Sequence, residues 1–364
     1  LFVALIKSPF MMENEVNDKG VRSPNLEDAD VLGVSNPSAL IQKSVASNKY
    51  YRFFGSFAFN YEFNKNFRAA TLFGIVNDKV REVIFIPRKG VTDDTLSNSI
   101  ADSRLGSQVK RIFTVYSDTY LEFNKTYSGA HKLSSRLGVR YQNNSNVEQD
   151  SVTTANSATD DLTSIQNGLA QLRKVGGSTV KWNWLNTYFN LEYGYKNKYF
   201  VAFNAAMDGS SRFGKEVKEG IAFGGVKYAF MPSISAAWLV SSEDFMANSS
   251  FDLIKLRASY SMTGNDDIGN FTDRQTYGSP NLLGMQGLAR NGIANPFKQW
   301  ETSAKMNLGL DLSLMNERIG ISLDVYNSKT TNMLVYDSLP SASGFTTILT
   351  NDGSMFVVLE LYTS

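Results

Sequence analysis

The sequence predicts an all-β, antiparallel fold whose strands cross a membrane. Three features point to it: two-residue alternation of apolar and polar side chains, long strands, and short turns alternating with long polar connections. The alternation is sharpest from Trp300. Even positions read Trp300, Thr302, Ala304, Met306, Leu308, Leu310, Leu312 and Leu314, while odd ones read Gln299, Glu301, Ser303, Lys305, Asn307, Gly309, Asp311 and Ser313. A helix repeats every ~3.6 residues and cannot sort side chains this way, so the stretch is a two-faced strand. After a turn at 315–318 the pattern returns with opposite parity: Ile319, Ile321, Leu323 and Val325 stand against Arg318, Gly320, Ser322 and Asp324, as in an antiparallel hairpin.

In chain order, 1–7 is a possible extra strand, and 51–63, 67–77 and 109–123 carry weaker alternation. Next, Leu133, Leu137, Val139 and Tyr141 oppose Lys132, Ser134, Arg136 and Arg140. The stretches 181–195, 199–208 and 226–239 follow, and then Ile254, Leu256, Ala258, Tyr260 and Met262 oppose Lys255, Arg257, Ser259 and Ser261. These make about ten strands in about five hairpins. Several run about 12 to 16 residues, against about 5 to 6 in globular sheets. Crossing a ~25 Å apolar band at ~45° takes about 10 to 11 residues at ~3.3 Å each, so the lengths suffice.

Short turns at 64–66, 124–130, 196–198 and 315–318 alternate with long polar segments at 88–108, 142–180, 209–225 and 264–298. Outer-membrane barrels show this asymmetry, with short periplasmic turns and long extracellular loops. The 241–251 connection has room for one helical turn on the short-turn side. Trp182, Trp184, Tyr193, Tyr195, Tyr199, Phe200, Trp238 and Trp300 gather near strand ends, where a membrane interface selects amphipathic rings.

Composition narrows function. Lys plus Arg is 36 and Asp plus Glu is 35, for a net charge of +1, which offers no global excess for neutralising nucleic-acid phosphates. The absence of cysteine excludes thiolate metal sites and cysteine nucleophiles, and a single histidine excludes any two-imidazole site. No run of 18 apolar residues suggests a membrane helix, and 1–6 is too short for a signal peptide. His131 shares parity with Leu133 and is expected on the lipid face near a short turn. No nucleophile and base can be paired, so an enzyme is not expected, nor is any cofactor or metal.

The run Phe251-Asp252-Leu253-Ile254-Lys255-Leu256-Arg257-Ala258-Ser259-Tyr260, followed by Thr263-Gly264-Asn265-Asp266 and Trp300-Glu301-Thr302, resembles the SusC-like TonB-dependent outer-membrane transporters (SusC/RagA family) of Bacteroidetes. So do Tyr199-Phe200-Val201-Ala202, Asp208-Gly209-Ser210-Ser211-Arg212-Phe213-Gly214, Pro232-Ser233-Ile234-Ser235-Ala236-Ala237-Trp238 and Asp324-Val325-Tyr326-Asn327-Ser328-Lys329-Thr330. The resemblance implies an outer-membrane importer of oligosaccharides or peptides: a barrel of about 22 strands, a plug, energy supplied through TonB, and a SusD-like surface lipoprotein as partner. Against that pattern, 1–354 is expected to be part of the barrel domain, with 10 to 12 or so of its strands. Residues 355–364 form an atypical tail, and neither the plug nor the N-terminal part that would engage TonB is expected in this chain.

Asn265, Asp266, Asp267, Asn270, Phe271, Asp273 and Arg274 form the densest cluster of hydrogen-bonding side chains and are the candidates for a substrate loop. They lack EF-hand spacing, and a solvated loop is the plain alternative. Arg136, Arg140, Lys255, Arg257, Glu301, Lys305 and Asp311 are expected to face the lumen, where a water-filled channel demands no pairing of charges. The competing function is a soluble extracellular β-sandwich adhesin or glycan-binding module, which would have to cover the Leu308, Leu310, Leu312, Leu314 stripe with a second sheet.

Overall fold

The computed structural model describes residues 2–363 except 31, 97, 98, 248, 268, 283 and 284; the side chains of 144–146, 281, 282 and 358–363 are also outside the description. Eleven long strands dominate it: β1 (Val45–Asn64), β2 (Phe67–Ile86), β3 (Arg104–Tyr127), β4 (His131–Ala155), β5 (Lys174–Tyr195), β6 (Tyr199–Ser210), β7 (Val226–Leu239), β8 (Phe251–Asn265), β9 (Glu301–Leu314), β10 (Ile319–Ser338) and β11 (Thr347–Thr363). They lie in one sheet in chain order, each beside its sequence neighbours, and the short strand Ile221–Phe223 adds to β7 as a twelfth member. Every other described sheet has two strands.

Register turns the alternation into two faces. Leu256 on β8, Leu310 on β9 and Leu323 on β10 form one cross-strand row, and Arg257, Gly309 and Asp324 form the next. Because successive side chains point to opposite sides, one face is lined with leucine, isoleucine and aromatics and the other with hydroxyls, amides and charges. Leu308, Ile234 and Met306 on the apolar face are about half exposed, and no second sheet covers that face among the described residues. The β-sandwich alternative requires such a cover and is not favoured.

The chain divides into two compact units. The first comprises Leu1–Gly55, Ile75–Thr114 and Asn144–Lys181. Its small cores are Leu26, Ala39 and Val91, packed by Leu40 and Ile86, and Ala101, Ala155 and Leu172, packed by Leu96. Asn36 organises the first of these. Its side chain caps the helix Pro37–Lys43 by accepting from the Ser38 amide, while Nδ2 donates to the carbonyls of Glu13 and Glu27. Its backbone N–H donates to the Gly90 carbonyl at 2.7 Å. Gly90 sits at φ 78°, where a Cβ would come within 2.5 Å of Ala39 Cβ, so only glycine fits.

The second unit comprises Ser56–Gly74, Val115–Asn143 and Trp182–Ser364. Its core is Phe213, Val217, Ala229, Met231 and Trp300. Phe213 and Trp300 pack ring to ring with centroids 4.9 Å apart.

Several expectations are corrected. Residues Phe2–Ile6 form a short helix rather than a strand, Leu1 lying outside the described residues. The segments 88–108 and 142–180 are less loop-like than expected, since β3 begins at Arg104, β4 runs to Ala155 and β5 begins at Lys174. β11, which the alternation did not mark, pairs with β10 through three register shifts, and the resulting number of long strands lies within the range expected from the sequence. The helical turn expected in 241–251 is present as two 3-10 turns, Val240–Ser242 and Asp244–Met246.

Candidate functional site

The polar face is built by arginines laid across neighbouring strands. Arg257 on β8 forks to Asp311 on β9 (Nε–Oδ2 2.8 Å, Nη2–Oδ1 2.9 Å) and reaches Asp324 on β10 at 3.1 Å. Asn307 donates to Asp324 at 3.1 Å, and the Ser322 hydroxyl donates to Asp311 at 2.6 Å. This geometry requires Gly309, since a Cβ there would lie 2.6 Å from Arg257 Cζ. Farther along the sheet, Glu122 receives Arg136 at 2.6 Å and Arg68 at 3.0 Å, and Asp118 receives Arg140 at 3.0 Å and the Tyr188 hydroxyl at 2.9 Å. Arg136 stacks over Tyr120 and Arg140 over Tyr188 at 4.5 and 4.4 Å. Gly138 leaves room for Tyr188, whose Cζ would otherwise stand 2.4 Å from a Cβ.

The seven charges expected on this face are therefore mostly paired, which corrects the expectation that they need no partners. Only part of each side chain reaches water, and a partly desolvated carboxylate gains from a bidentate guanidinium. Lys305 lies 3.9 Å over the Tyr326 ring, and Lys255 stands opposite Asp311 in register. Glu301 accepts from Asn265 Nδ2 at 3.0 Å and from the Leu334 amide at 3.0 Å. Asn190, Asn204 and Ser233 form a neutral ladder across β5, β6 and β7, with contacts of 2.6 and 3.2 Å. Toward the short turns the face opens into a cavity of about 850 Å³, whose lining includes Lys132, Ser134, Glu192, Ser259 and Asn307.

At the long-loop end, Arg212 gathers part of the candidate cluster. Its guanidinium lies 4.1 Å over the Trp182 ring, donates to Asn270 Oδ1 at 2.8 Å and to the Asp266 carbonyl at 3.2 Å, and stands 3.5 Å from Asp267 Oδ1. Asn265 belongs to the neighbouring pair with Glu301, while Asp273 and Arg274 pair with each other at 3.3 Å. Phe271 adopts φ 62°, an uncommon conformation for a side chain of that size, and closes a turn through its carbonyl to the Arg274 amide. Among the described residues no group of three or more histidine, aspartate or glutamate side chains is placed to hold a metal.

Two loops are joined here by backbone. The Gly214 amide donates to the Lys298 carbonyl at 2.7 Å, and the Glu216 amide to the Pro296 carbonyl at 2.9 Å. Lys298 is fully buried, with Nζ donating to the Gly269 carbonyl and the Thr272 hydroxyl. Burial brings its ammonium down to about 8, with Asp273 opposing the shift. The unfolded chain, with lysine near its ordinary ~10.4, then holds a proton that the folded loop has released. Stability of this loop should therefore rise between pH ~8 and ~10.5. Hydrogen exchange at 269–272, corrected for intrinsic rates, should show more protection across that window, and Lys298→Met should remove the trend.

At the short-turn end the apolar face carries a row of rings. His131, Tyr195, Tyr199 and Trp238 follow one another with centroids 4.7, 6.2 and 6.3 Å apart. His131 Nδ1 lies 2.6 Å from the Tyr193 hydroxyl, on the face expected from its parity. Glu243 accepts from the Tyr199 hydroxyl at 2.6 Å, the Trp238 indole at 3.1 Å and Lys198 at 3.2 Å. The Tyr199 and Trp238 bonds, with Lys198, hold its carboxyl below the usual glutamate range despite some desolvation. Trp182, Trp184 and Trp300 do not join such a row: Trp182 lies under Arg212, Trp184 lines a cleft with Asp208, and Trp300 is in the loop core. Phe200 likewise lines the cavity on the polar face.

Arg212, Lys298, Asp208, Asp118 and Glu122 were not singled out in the sequence. For Arg212 the only signal was Arg212 itself in the Asp208–Gly214 block, because its hydrogen-bond partners are more than fifty residues away and Trp182 lies on a different strand.

Residues 16–357 match the family model for "TonB dependent receptor-like, beta-barrel", and the chain belongs to that family of outer-membrane β-barrel proteins. It is 30% identical over 329 residues to TonB-dependent receptor P3 of Formosa agariphila, covering 88% of this chain and 31% of that protein. It is also 31% identical over 185 residues to the TonB-dependent receptor SusC of Bacteroides thetaiotaomicron, covering 48% of this chain and 17% of SusC. The fold matches the RagAB peptide transporter with a TM-score of 0.77 at 20% identity, over 91% of this chain and 36% of that one. The chain thus spans about a third or less of the length of these relatives.

Proposed function

We propose that this chain forms part of the wall of an active outer-membrane importer and that its polar face lines the path of an oligosaccharide. The observation that carries the reading is the pairing of an uncovered apolar face with a polar face of hydroxyls, amides and neutralised charges. That face extends from the Arg212 cluster to the 850 Å³ cavity. A lipid-facing exterior and a wet, hydrogen-bonding interior are what a membrane barrel separates. Neutralised charges favour uncharged hydroxyl-rich solutes over ions, because the arginines are already committed to carboxylates. Energy would come through TonB acting on a plug in the longer protein, and a SusD-like lipoprotein would deliver substrate from outside. Asn265, Asp266, Asp267 and Asn270 would stand at the extracellular mouth, and Arg136, Arg140, Lys255, Arg257, Glu301, Lys305 and Asp311 along the lumen.

Sidedness and transport test this together. In cells carrying the full-length transporter, Asp267→Cys should react with an impermeant maleimide and Asn197→Cys should not. Deleting the gene should abolish growth on an oligosaccharide while sparing growth on its monosaccharide. Reversed labelling would invert the topology, and a growth defect confined to peptides would move the substrate to that class.

A further inference from the structure

Two basic side chains meet at the short-turn end of the apolar face, within the second unit. His131 opens β4, and the turn 196–198 after β5 is bonded to it locally, the Lys196 amide donating to the Ala130 carbonyl at 2.8 Å. Both reach Tyr195: the imidazole lies 4.7 Å from its ring between centroids, and Lys196 Nζ stands 5.3 Å from the ring centre. Tyr195 belongs to the row that continues through Tyr199 to Trp238. Amphipathic rings at strand ends mark the depth where hydrocarbon gives way to headgroups. The donors here are not used by the protein. The Tyr193 hydroxyl lies 2.6 Å from His131 Nδ1. With that hydroxyl donating, the ring proton sits on Nε2, and the imidazolium carries one there as well. Nε2 has no protein partner among the described residues. The exposed Lys196 ammonium has none among them beyond the Tyr195 ring. Lys198 differs, because its ammonium reaches Glu243 at 3.2 Å and Asp244 at 3.7 Å. The Glu243 carboxylate is in turn taken by Lys198, Tyr199 and Trp238.

We propose that His131 and Lys196, set around Tyr195, bind the phosphodiester of a glycerophospholipid in the leaflet beside the short turns. The leaflet follows from the sidedness proposed above; the site itself does not depend on the transported solute. A phosphodiester oxygen accepts from His131 Nε2–H and from the Lys196 ammonium, and such charge-assisted bonds are stronger than neutral ones. Tyr193 is the positioning residue, since its hydroxyl on Nδ1 turns the donor nitrogen outward. The acyl chains then follow the same face of β4 past Leu133, Leu137 and Val139, the last two of which are exposed. Lys132 stands one residue from His131 but lines the cavity on the polar face, so its charge is turned away from the lipid.

The test uses the purified full-length transporter, delipidated in detergent and titrated with lipids under native mass spectrometry. The probes are phosphatidylglycerol, diacylglycerol with the same acyl chains, water-soluble glycerol phosphate and lipopolysaccharide. Phosphatidylglycerol should bind at least about fivefold more tightly than diacylglycerol, the scale of one basic residue at an anionic lipid surface. Excess glycerol phosphate should not displace it, because the acyl chains contribute on the apolar face. His131→Phe keeps a ring against Tyr195 but removes the N–H, and should weaken phosphatidylglycerol by about fivefold. Lys196→Ser should do the same, whereas Lys132→Ser, which loses the same charge on the opposite face, should leave binding unchanged. Diacylglycerol should bind all three variants like the parent. Heat-modifiable migration on gels checks that each variant is folded. Equal binding of diacylglycerol, full displacement by glycerol phosphate, tighter binding of lipopolysaccharide, an unchanged His131→Phe variant, or an equal loss in Lys132→Ser would each overturn the site. Such a result beside the expected labelling and growth phenotypes leaves the import reading standing. Reversed labelling overturns the sidedness and with it the leaflet.

Discussion

Leu310→Arg should destabilise the membrane-inserted protein by about 2 to 4 kcal/mol, because it places a guanidinium on the lipid face near mid-strand. Leu310 sits in a row with Leu256 and Leu323, so the charge has no polar neighbour on either adjoining strand. Ser259→Arg, on the opposite face beside Asn307 and Ser235, should cost far less because the new side chain reaches water. Urea titration of the full-length protein in lipid vesicles measures both. Equal losses would mean that the two faces do not meet different solvents.

Gly309→Val is the second substitution with a large expected effect. Its Cβ would take the place of the Arg257 guanidinium, approaching Nη2 to 2.7 Å, and would force it off Asp311 and Asp324. Hydrogen bonds to charged groups are worth about 1.5 to 3 kcal/mol each in favourable settings. These side chains stay 25–31% exposed, and water replaces part of what is lost, so a net loss of about 1 to 3 kcal/mol is expected. Arg257→Leu should destabilise by a similar amount. The double variant should fall well short of the sum, because both changes remove the same bridge. Additive losses in the same urea titrations would show that Gly309 serves something other than the arginine.

The sequence disclosed the β9–β10 hairpin almost to the residue because each strand is solvated by lipid on one side and by polar groups on the other, a contrast that period-2 patterning must record. It was less informative where solvent is the same on both sides. Phe2–Ile6 is a short apolar run, which periodicity cannot sort into helix or strand. Trp300 continues the parity of Leu308 and Leu310, yet β9 starts at Glu301, and one residue earlier the chain has turned into the loop core against Phe213. The strand end, unlike its alternation, leaves no mark in the pattern. The Asn265–Arg274 cluster was found from composition, but its organiser Arg212 was not, because cross-loop contacts have no local signature. The partners of the lumen-type arginines were missed for the same reason: pairing depends on register between strands, which a single strand does not carry.

The order of the strands bears on how the protein is made. Every long strand lies next to its neighbour in the chain, so each pairing closes only the loop between two consecutive strands. Loop closure costs least when the separation is short, and low contact order favours fast assembly. A growing sheet of this kind can advance hairpin by hairpin like a zip, each completed strand serving as the template for the next. The Arg257 bridge would lock only once β10 had arrived, three strands wide, so it stabilises the finished sheet without guiding the first steps of its growth.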